Sequence, residues 1–432
     1  MEIRDPVHGS INILKEEEPI ISDPFFERLR NIKQLGFSEF IFPGATHTRF
    51  IHSIGVMHVG ERVFNKLFKN FTHSKDLLRL KETFKLACLL HDIGHAPLSH
   101  STEVVMPEVE KLNLSTIPAN TKRQATHEDY TVKIIIDSSF TNSLKDVKKK
   151  FGVIPLHIAE LVIGSTNSSD YFKIEGICYF KLLHQLVSSE LDCDRMDYLL
   201  RDSYFCGVSY GKYDLDWLIE NLLIVTDKLN NASLGISERA VVTFDDFLLS
   251  RYHMFIMVYF HYRSVCLEQL LFKYFKYSNN EYTIPFEIEK YIEHDDHYLL
   301  KILRNSNNKF AKLITSNKVP TKIFESFNTG QLKILKKIEK LLKENSIDYI
   351  RSSSASRLSK YYNEENQEIK VNINEILVVR SEHLSNETSS YPIHQATEVF
   401  SKFSKSHEIN RLHCDFDKLS DDLKTSIIKL RA

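Results

Sequence analysis

The chain has 432 residues, 42% hydrophobic and 26% charged, with 13 Gly, 11 Pro and a formal net charge of −1. That length buries a substantial core, and so few Gly and Pro exclude a loop-rich or disordered chain. Near-neutral charge gives no global reason to bind nucleic acid or an acidic membrane. No apolar run approaches the roughly 18 residues of a membrane span, and six scattered cysteines without a CxxC pair argue against a disulfide framework or a thiolate zinc site.

In chain order, residues 1–22 alternate apolar and polar around Gly9-Ser10-Ile11-Asn12-Ile13, a short strand or hairpin signal. Asp23-Pro24 reads as an N-cap followed by proline at the first helical position, opening a helix through Phe25, Leu29, Ile32 and Leu35. Further helices are expected from about Thr48 to Val63 and from about Leu77 to Leu90. Helices continue to about Tyr277, interrupted by a hairpin turning at Asn230-Asn231 between Leu222–Ile224 and Leu234–Ile236. Arg251 to Tyr277, apolar and aromatic on most faces, reads as one buried central helix. Beyond Ser278 the composition shifts toward Lys, Asn and Glu, with an exposed Ser-rich stretch expected at Ser352–Ser359 and a solvated helix face at Lys333–Lys343. The expected fold is mainly α: a helical core with short β-hairpins over residues 1–280 and a C-terminal α+β lobe over 281–432. Nothing at the start resembles a signal peptide, so a soluble cytoplasmic protein is expected.

The most specific motif is Leu89-Leu90-His91-Asp92-Ile93-Gly94-His95, ending an apolar helix. Adjacent helical residues point about 100° apart, so His91 and Asp92 can share a ligand only if it sits between them at the bundle rim, as a divalent metal would. Imidazole with carboxylate suits Mn, Fe, Ni, Co or Zn. The dipeptide alone is weak, since His294-Asp295 repeats it, and His91 could simply cap a helix while Asp92 meets solvent. Its company is informative. Nine of the 19 histidines fall in the first 127 residues, among them His52 on a helix with a small-residue face. Downstream, Glu190-Leu191-Asp192-Cys193-Asp194-Arg195-Met196-Asp197-Tyr198 crowds carboxylates that repel one another unless a cation shares the site. Arg49, three residues before His52, could grip phosphate beside a metal. Tyr198 and Asp202 follow Asp194 at helical spacing, and His95 lies one turn past His91.

These runs, together with Asp5-Pro6-Val7-His8-Gly9, Arg28 to Gly36, Phe42 to Val56, His91 to His100, Asp192 to Asp202 and Arg251 to His261, strongly resemble the HD-domain deoxynucleoside triphosphate triphosphohydrolases over roughly the first 280 residues. The resemblance implies one divalent metal per subunit, held by His52, His91, Asp92 and Asp194, with Mg added to the metals named above and a further Mg carried by the substrate phosphates. It places His95, His100 and His127 around the α-phosphate, with His127 and Glu128 as a proton-transfer pair. It assigns Arg49, Arg195, Tyr198, Asp202 and Arg251 to phosphate and sugar contacts, Gln34 and Leu35 to the sugar-facing wall, and Tyr259 to the ring that blocks a 2′-hydroxyl. Tyr259 could instead be simple core, and His100 and His127 ordinary hydrogen-bonded histidines.

The implied reaction is hydrolysis of a dNTP to deoxynucleoside and tripolyphosphate, in a homo-oligomer of two or four copies without membrane association. Two departures limit the transfer. Phe260 replaces a base-sensing Gln of the family's human member, so base preference does not carry over. Ser22 and Met1 replace its acidic and basic activator-reading residues, although Arg30 is retained, which argues against GTP activation of the known type. Two alternatives stand beside this reading: the same chemistry on a nucleoside monophosphate or signalling nucleotide, and an inactive nucleotide- or nucleic-acid-binding module, to which the Lys-rich tail lends some support.

Overall fold

The computed structural model describes residues 1–117, 121–327, 331–356, 375–381, 388–397, 399 and 407–431.

The alternating N-terminus forms an antiparallel hairpin of β1 (Glu2–Asp5) and β2 (Gly9–Asn12). Asp23 caps the next helix as its sequence implies, accepting from Phe25 N at 2.9 Å. The expected helix through Leu35 is cut short, however. Pro24–Glu27 is α-helical, Arg28–Asn31 is a 3₁₀ turn, and Ile32 is extended. The chain is needed elsewhere: Ile32 O accepts from Arg49 N at 2.9 Å and Gln34 N donates to His47 O at 3.0 Å. A helix N-terminus leaves its first amides without intrahelical partners, and here the backbone at 32–34 supplies one acceptor.

That helix is α1 (Arg49–Leu67), which packs on α2 (Lys75–Leu90) and on α6 (Cys193–Cys206). The α1–α6 contact is close enough to require Gly55, since a Cβ there would meet Asp197 Oδ1 at 2.0 Å and Arg201 Nη2 at 2.3 Å. Between them run α3 (His127–Ile136), α4 (Pro155–Ile163) and α5 (Phe180–Val187). The hairpin of β3 (Leu222–Thr226) and β4 (Ala232–Ser237) turns at Asn230, whose φ of +61° suits a tight turn.

The single helix expected over Arg251–Tyr277 is instead two. Helix α7 (Val241–Met254) widens into a π turn at Phe255–Tyr259, breaks at Phe260-His261, and resumes as α8 (Tyr262–Tyr277). The π turn brings Tyr259 OH within 2.7 Å of Asp202 Oδ2 on α6, a local distortion of the kind that accompanies functional sites.

The main hydrophobic core continues past residue 280, taking in Tyr282, Ile284, Tyr291, Leu299 and Leu303, the last two on α9 (Asp296–Asn305). A smaller core joins Ile323 and Phe324 of β5 (Thr321–Phe327), Leu335, Ile338 and Leu342 of α10 (Leu332–Glu344), and Ile427 of α11 (Asp421–Arg431). Strand β5 belongs to an antiparallel sheet in the order β5-β9-β6, with β6 at Tyr349–Ser356 and β9 at His407–Cys414. The Ser-rich stretch is therefore strand up to Ser356, with Ser352 and Ser354 buried, because alternate residues of a central-facing strand turn inward; its last three residues lie outside the described set. Strands β7 (Leu377–Ser381) and β8 (Thr388–Pro392) extend the β3–β4 hairpin into a sheet ordered β8-β7-β4-β3, with β7 parallel to β4. Among the described residues no helix is long and apolar enough to cross a membrane. All six cysteines are free.

Candidate metal centre and nucleotide site

Three elements converge at one end of the bundle. The first turn of α1 carries Arg49 and His52, the C-terminus of α2 runs into His91 and Asp92, and the first turn of α6, capped by Asp192, carries Asp194. His52 Nε2 lies 3.0 Å from Asp194 Oδ1 and 3.6 Å from Asp92 Oδ2. His91 Nε2 lies 3.4 Å from Asp92 Oδ1 and 3.6 Å from Asp194 Oδ1. His52, His91 and Asp194 thus present ligand atoms within 4.8 Å of one another, and Asp92 flanks them with one oxygen on Arg49.

The surroundings of the two imidazoles test whether a cation fits. His52 Nδ1 faces Asp197 Oδ2 at 2.8 Å, and His91 Nδ1 faces the carbonyl of Cys88 at 2.8 Å. Nδ1 of each ring donates to its acceptor and keeps its proton, which leaves Nε2, beside the carboxylates, as the atom a cation would take. Both Nε2 atoms are buried and make no hydrogen bond. Two orphaned imidazole nitrogens facing two carboxylates are a donor set for a divalent cation. Burial disfavours the charged rings, yet Asp194 and Asp197 around His52, and Asp92 and Asp194 around His91, raise both pKa values to about 9. A cation would take the place of those protons, so its binding releases them.

Asp194 is expected as a ligand, while Asp197, in the same acidic run, carries no expected role. Asp197 is the residue that orients His52, and it is itself fixed by His8 Nε2 at 2.6 Å and by Arg201 through Nε at 2.8 Å and Nη2 at 2.9 Å. Arg201 Nη1 in turn donates to Asp5 Oδ2 at 2.7 Å, which ties the β1–β2 hairpin to the back of the candidate ligands.

Beside this centre stands a group of three imidazoles. His95 and His127 stack with centroids 4.0 Å apart, and His100 lies edge-on to both at 4.7 and 5.1 Å. The carboxylate that joins them is Glu103, whose Oε1 accepts from His127 Nδ1 at 2.6 Å and from His100 Nδ1 at 2.8 Å. The expected pairing of His127 with Glu128 is therefore not the one observed. Glu128, in the first turn of α3, is exposed and lines the cavity. Glu103 stands three residues after His100, a spacing that could have signalled it. Burial opposes its ionisation, but His100 and His127 bring its pKa down to about 2. His95, by contrast, is held well below the usual histidine value by burial and by the neighbouring Arg49 and His127.

The cavity over these groups measures about 220 Å³ and is lined by Gln34, Arg49, His91, Asp92, His95, His100, His127, Glu128, Asp194 and Tyr198, with Val162, Val187 and Ser188 closing its side. His52 is fully buried behind it. Leu35 packs half-buried against the core. Asp202, with His47 Nε2 at 2.7 Å and Tyr259 OH at 2.7 Å, stands behind Tyr198, whose ring meets that of Tyr259 edge-on at 6.2 Å. Arg195 pairs with Asp192, and Arg251 Nη1 with Glu190 Oε2 at 2.8 Å. Ten of the sixteen expected residues thus line one cavity, His52 lies behind it, and Leu35, Arg195, Asp202, Arg251 and Tyr259 lie beyond its lining.

The family model for the HD domain matches residues 49–199, from the first residue of α1 to the middle of α6. An uncharacterized protein of Mycoplasma pneumoniae is 31% identical over 349 residues, covering 78% of this chain and 75% of that protein. The chain belongs to the HD-domain dNTPase-like family. An uncharacterized Bacillus subtilis protein, YwfO, is 35% identical over 260 residues, 60% of this chain and 51% of its own length, so the chain spans about half of that relative. The human deoxynucleoside triphosphate triphosphohydrolase SAMHD1 is 31% identical over 222 residues, 48% of this chain and 33% of its own length. A crystal structure of a hypothetical Aquifex aeolicus protein superposes with a TM-score of 0.75 at 26% identity over 100% of both chains. A Bacteroides thetaiotaomicron phosphohydrolase, at a TM-score of 0.66 and 22% identity over 96% and 99% of the two chains, shares the fold. Within the HD match lie the four candidate ligands, Arg49, the three imidazoles, Glu128, Arg195 and Tyr198, whereas Gln34, Leu35, Asp202, Arg251 and Tyr259 come from outside it.

Proposed function

We propose that this HD-domain chain is a metal-dependent phosphohydrolase that cleaves dNTPs to deoxynucleoside and tripolyphosphate. The observation that carries the reading is the pair of buried Nε2 atoms of His52 and His91, oriented from behind and facing Asp194 and Asp92 at the floor of a cavity whose wall is the His95–His100–His127 group. His52, His91, Asp92 and Asp194 would hold a divalent cation, which when bound supplies Lewis-acid charge to a phosphoryl centre.

The chain's own residues do the rest. Arg49 is braced by Asp92 and by Ser99 Oγ at 3.2 Å, and offers its remaining guanidinium edge to a phosphate oxygen. Glu103, ionised, holds the Nδ1 protons of His100 and His127, which leaves the opposite nitrogen of each ring to exchange a proton with water or with the departing oxygen. Gln34 Oε1, buried without a hydrogen-bonding partner, is an acceptor awaiting a sugar hydroxyl. Val162 and Val187 exclude water from one side. Assembly into a homodimer or homotetramer belongs to the same proposal and is read by light scattering on the eluting protein.

A second reading, a nucleoside monophosphate as substrate, is favoured by two features of the cavity. Its volume lies below the roughly 300–1,000 Å³ usual for small-molecule sites, and its one arginine already faces a carboxylate. Product analysis separates the two. With Mn or Mg, the triphosphohydrolase reading expects tripolyphosphate from the four dNTPs and none from the four NTPs. Orthophosphate as the sole product, or hydrolysis confined to monophosphates, would overturn it.

A further inference from the structure

The HD match ends near residue 199, but the chain returns to the site nearly a hundred residues later. Resting on the phosphohydrolase reading, we propose that Asp296 is a positioning residue that sets the His95–His100 loop against the backbone at Gln34. Helix α9 is capped by Asp295, whose Oδ1 accepts from Tyr298 N at 2.8 Å, so the Asp296 side chain is not committed to its own helix. It is 3% exposed, and its two oxygens go to two different segments. Oδ1 accepts from Leu98 N at 2.6 Å and Oδ2 from Lys33 N at 3.0 Å.

Both bonds land where position matters. Leu98 and Ser99 have φ values of +54° and +60°, consecutive left-handed residues that carry side chains. Residues other than glycine rarely adopt that conformation and hold it only where the surroundings over-determine it. The left-handed pair lies between His95 and His100 and allows both rings to reach His127. Ser99 Oγ, placed by the same turn, donates to Lys33 O at 3.0 Å and accepts from Arg49 Nε at 3.2 Å. The start of the turn has its own anchors: Arg28 Nη2 donates to Ile93 O at 2.8 Å and Tyr291 OH to Gly94 O at 2.9 Å. Asp296 fixes its far end, and through Lys33 N it fixes the register of the adjoining Gln34.

Two variants of the full-length chain test this. Asp296→Ala removes both acceptors, whereas Asp296→Asn keeps the shape and one of them, since its amide nitrogen must face an N–H. Displacement of catalytic groups by about 1 Å costs on the order of 100-fold in turnover. The expected result is therefore a kcat lowered by about that factor in Asp296→Ala and less in Asp296→Asn, with Mn affinity near wild type. Hydrogen exchange should quicken in peptides covering residues 33–34 and 96–101 while the far side of the bundle stays protected. Unchanged exchange in those peptides would overturn the proposal. So would a loss of Mn affinity of the ~10- to 100-fold size that follows disturbance of a metal ligand's support, because Asp296 would then act on the metal centre or the whole fold. The exchange and Mn measurements need no turnover. A wild-type chain that left every nucleotide intact would sink the phosphohydrolase reading, while the loop's dependence on Asp296 would still be decided.

Discussion

Replacing Asp197 by Asn tests whether His52 is a metal ligand oriented from behind. Asp197 is fully buried and accepts from His8 Nε2 at 2.6 Å, His52 Nδ1 at 2.8 Å, and Arg201 Nε and Nη2 at 2.8 and 2.9 Å. Asparagine preserves the volume but turns one acceptor oxygen into a donor, so one side of this four-donor arrangement must break. If it is the His52 side, the ring loses the contact that keeps its proton on Nδ1 and its lone pair on Nε2. Loss of such support costs about 10- to 100-fold in metal affinity, or roughly 1.4–2.7 kcal/mol. The assay is calorimetric titration of the demetallated variant with Mn, beside thermal unfolding without metal. Asp197→Ala is the poorer probe, because it leaves the buried Arg201 with Asp5 alone, and breaking a buried pair destabilises by about 3–5 kcal/mol. A folded Asp197→Asn chain that bound Mn as tightly as wild type would refute the orientation argument.

Glu103→Gln removes the charge that holds both His100 and His127, so turnover should fall on the order of 100-fold with metal content unaltered; undiminished tripolyphosphate release would take Glu103 out of the proton-transfer group. Gly94→Ala places a Cβ 2.2 Å from His127 O and 2.3 Å from Thr131 N, both backbone atoms that cannot swing aside, so α3 must move off the HD turn. Overpacking of that kind costs about 1–3 kcal/mol, and activity should fall further than stability when kcat and unfolding temperature are measured together. Burial pushes Glu82 up to about 8 from its ordinary 4.5; Lys85 opposes the rise and Glu17 adds to it. The folded chain therefore keeps a proton that the unfolded chain releases, so this group's contribution to stability declines as pH rises from about 4.5 to about 8. Denaturant melts across that window should show a shallower decline in Glu82→Gln, and an unchanged slope would show that Glu82 is not the titrating group.

What the sequence revealed and what it hid divide along physical lines. His91 and Asp92 were legible because chemistry at adjacent positions needs no fold to bring it together, and His52 and Asp194 because the runs around them are distinctive. The π turn was hidden: Phe255 to Val258 is uniformly apolar, and an apolar run has the same periodicity whether each turn holds one residue more or less. His8 with Asp197, 189 residues apart, and Asp296 with Lys33, 263 residues apart, are pairings only the packed bundle creates. The arginines show most clearly what a motif leaves out. Arg49, Arg195 and Arg251 read in sequence as cations awaiting phosphate, yet each faces a buried carboxylate, Asp92, Asp192 and Glu190 respectively. Such pairing fixes each guanidinium in place and cancels much of its field, so the site offers a polyanion geometry more than net positive charge. On the proposed phosphohydrolase reading, the remaining charge would come from a cation at His52, His91, Asp92 and Asp194 or from one carried in with the phosphates, so substrate binding by this chain should be far more sensitive to metal removal than a sequence with three phosphate-facing arginines suggests.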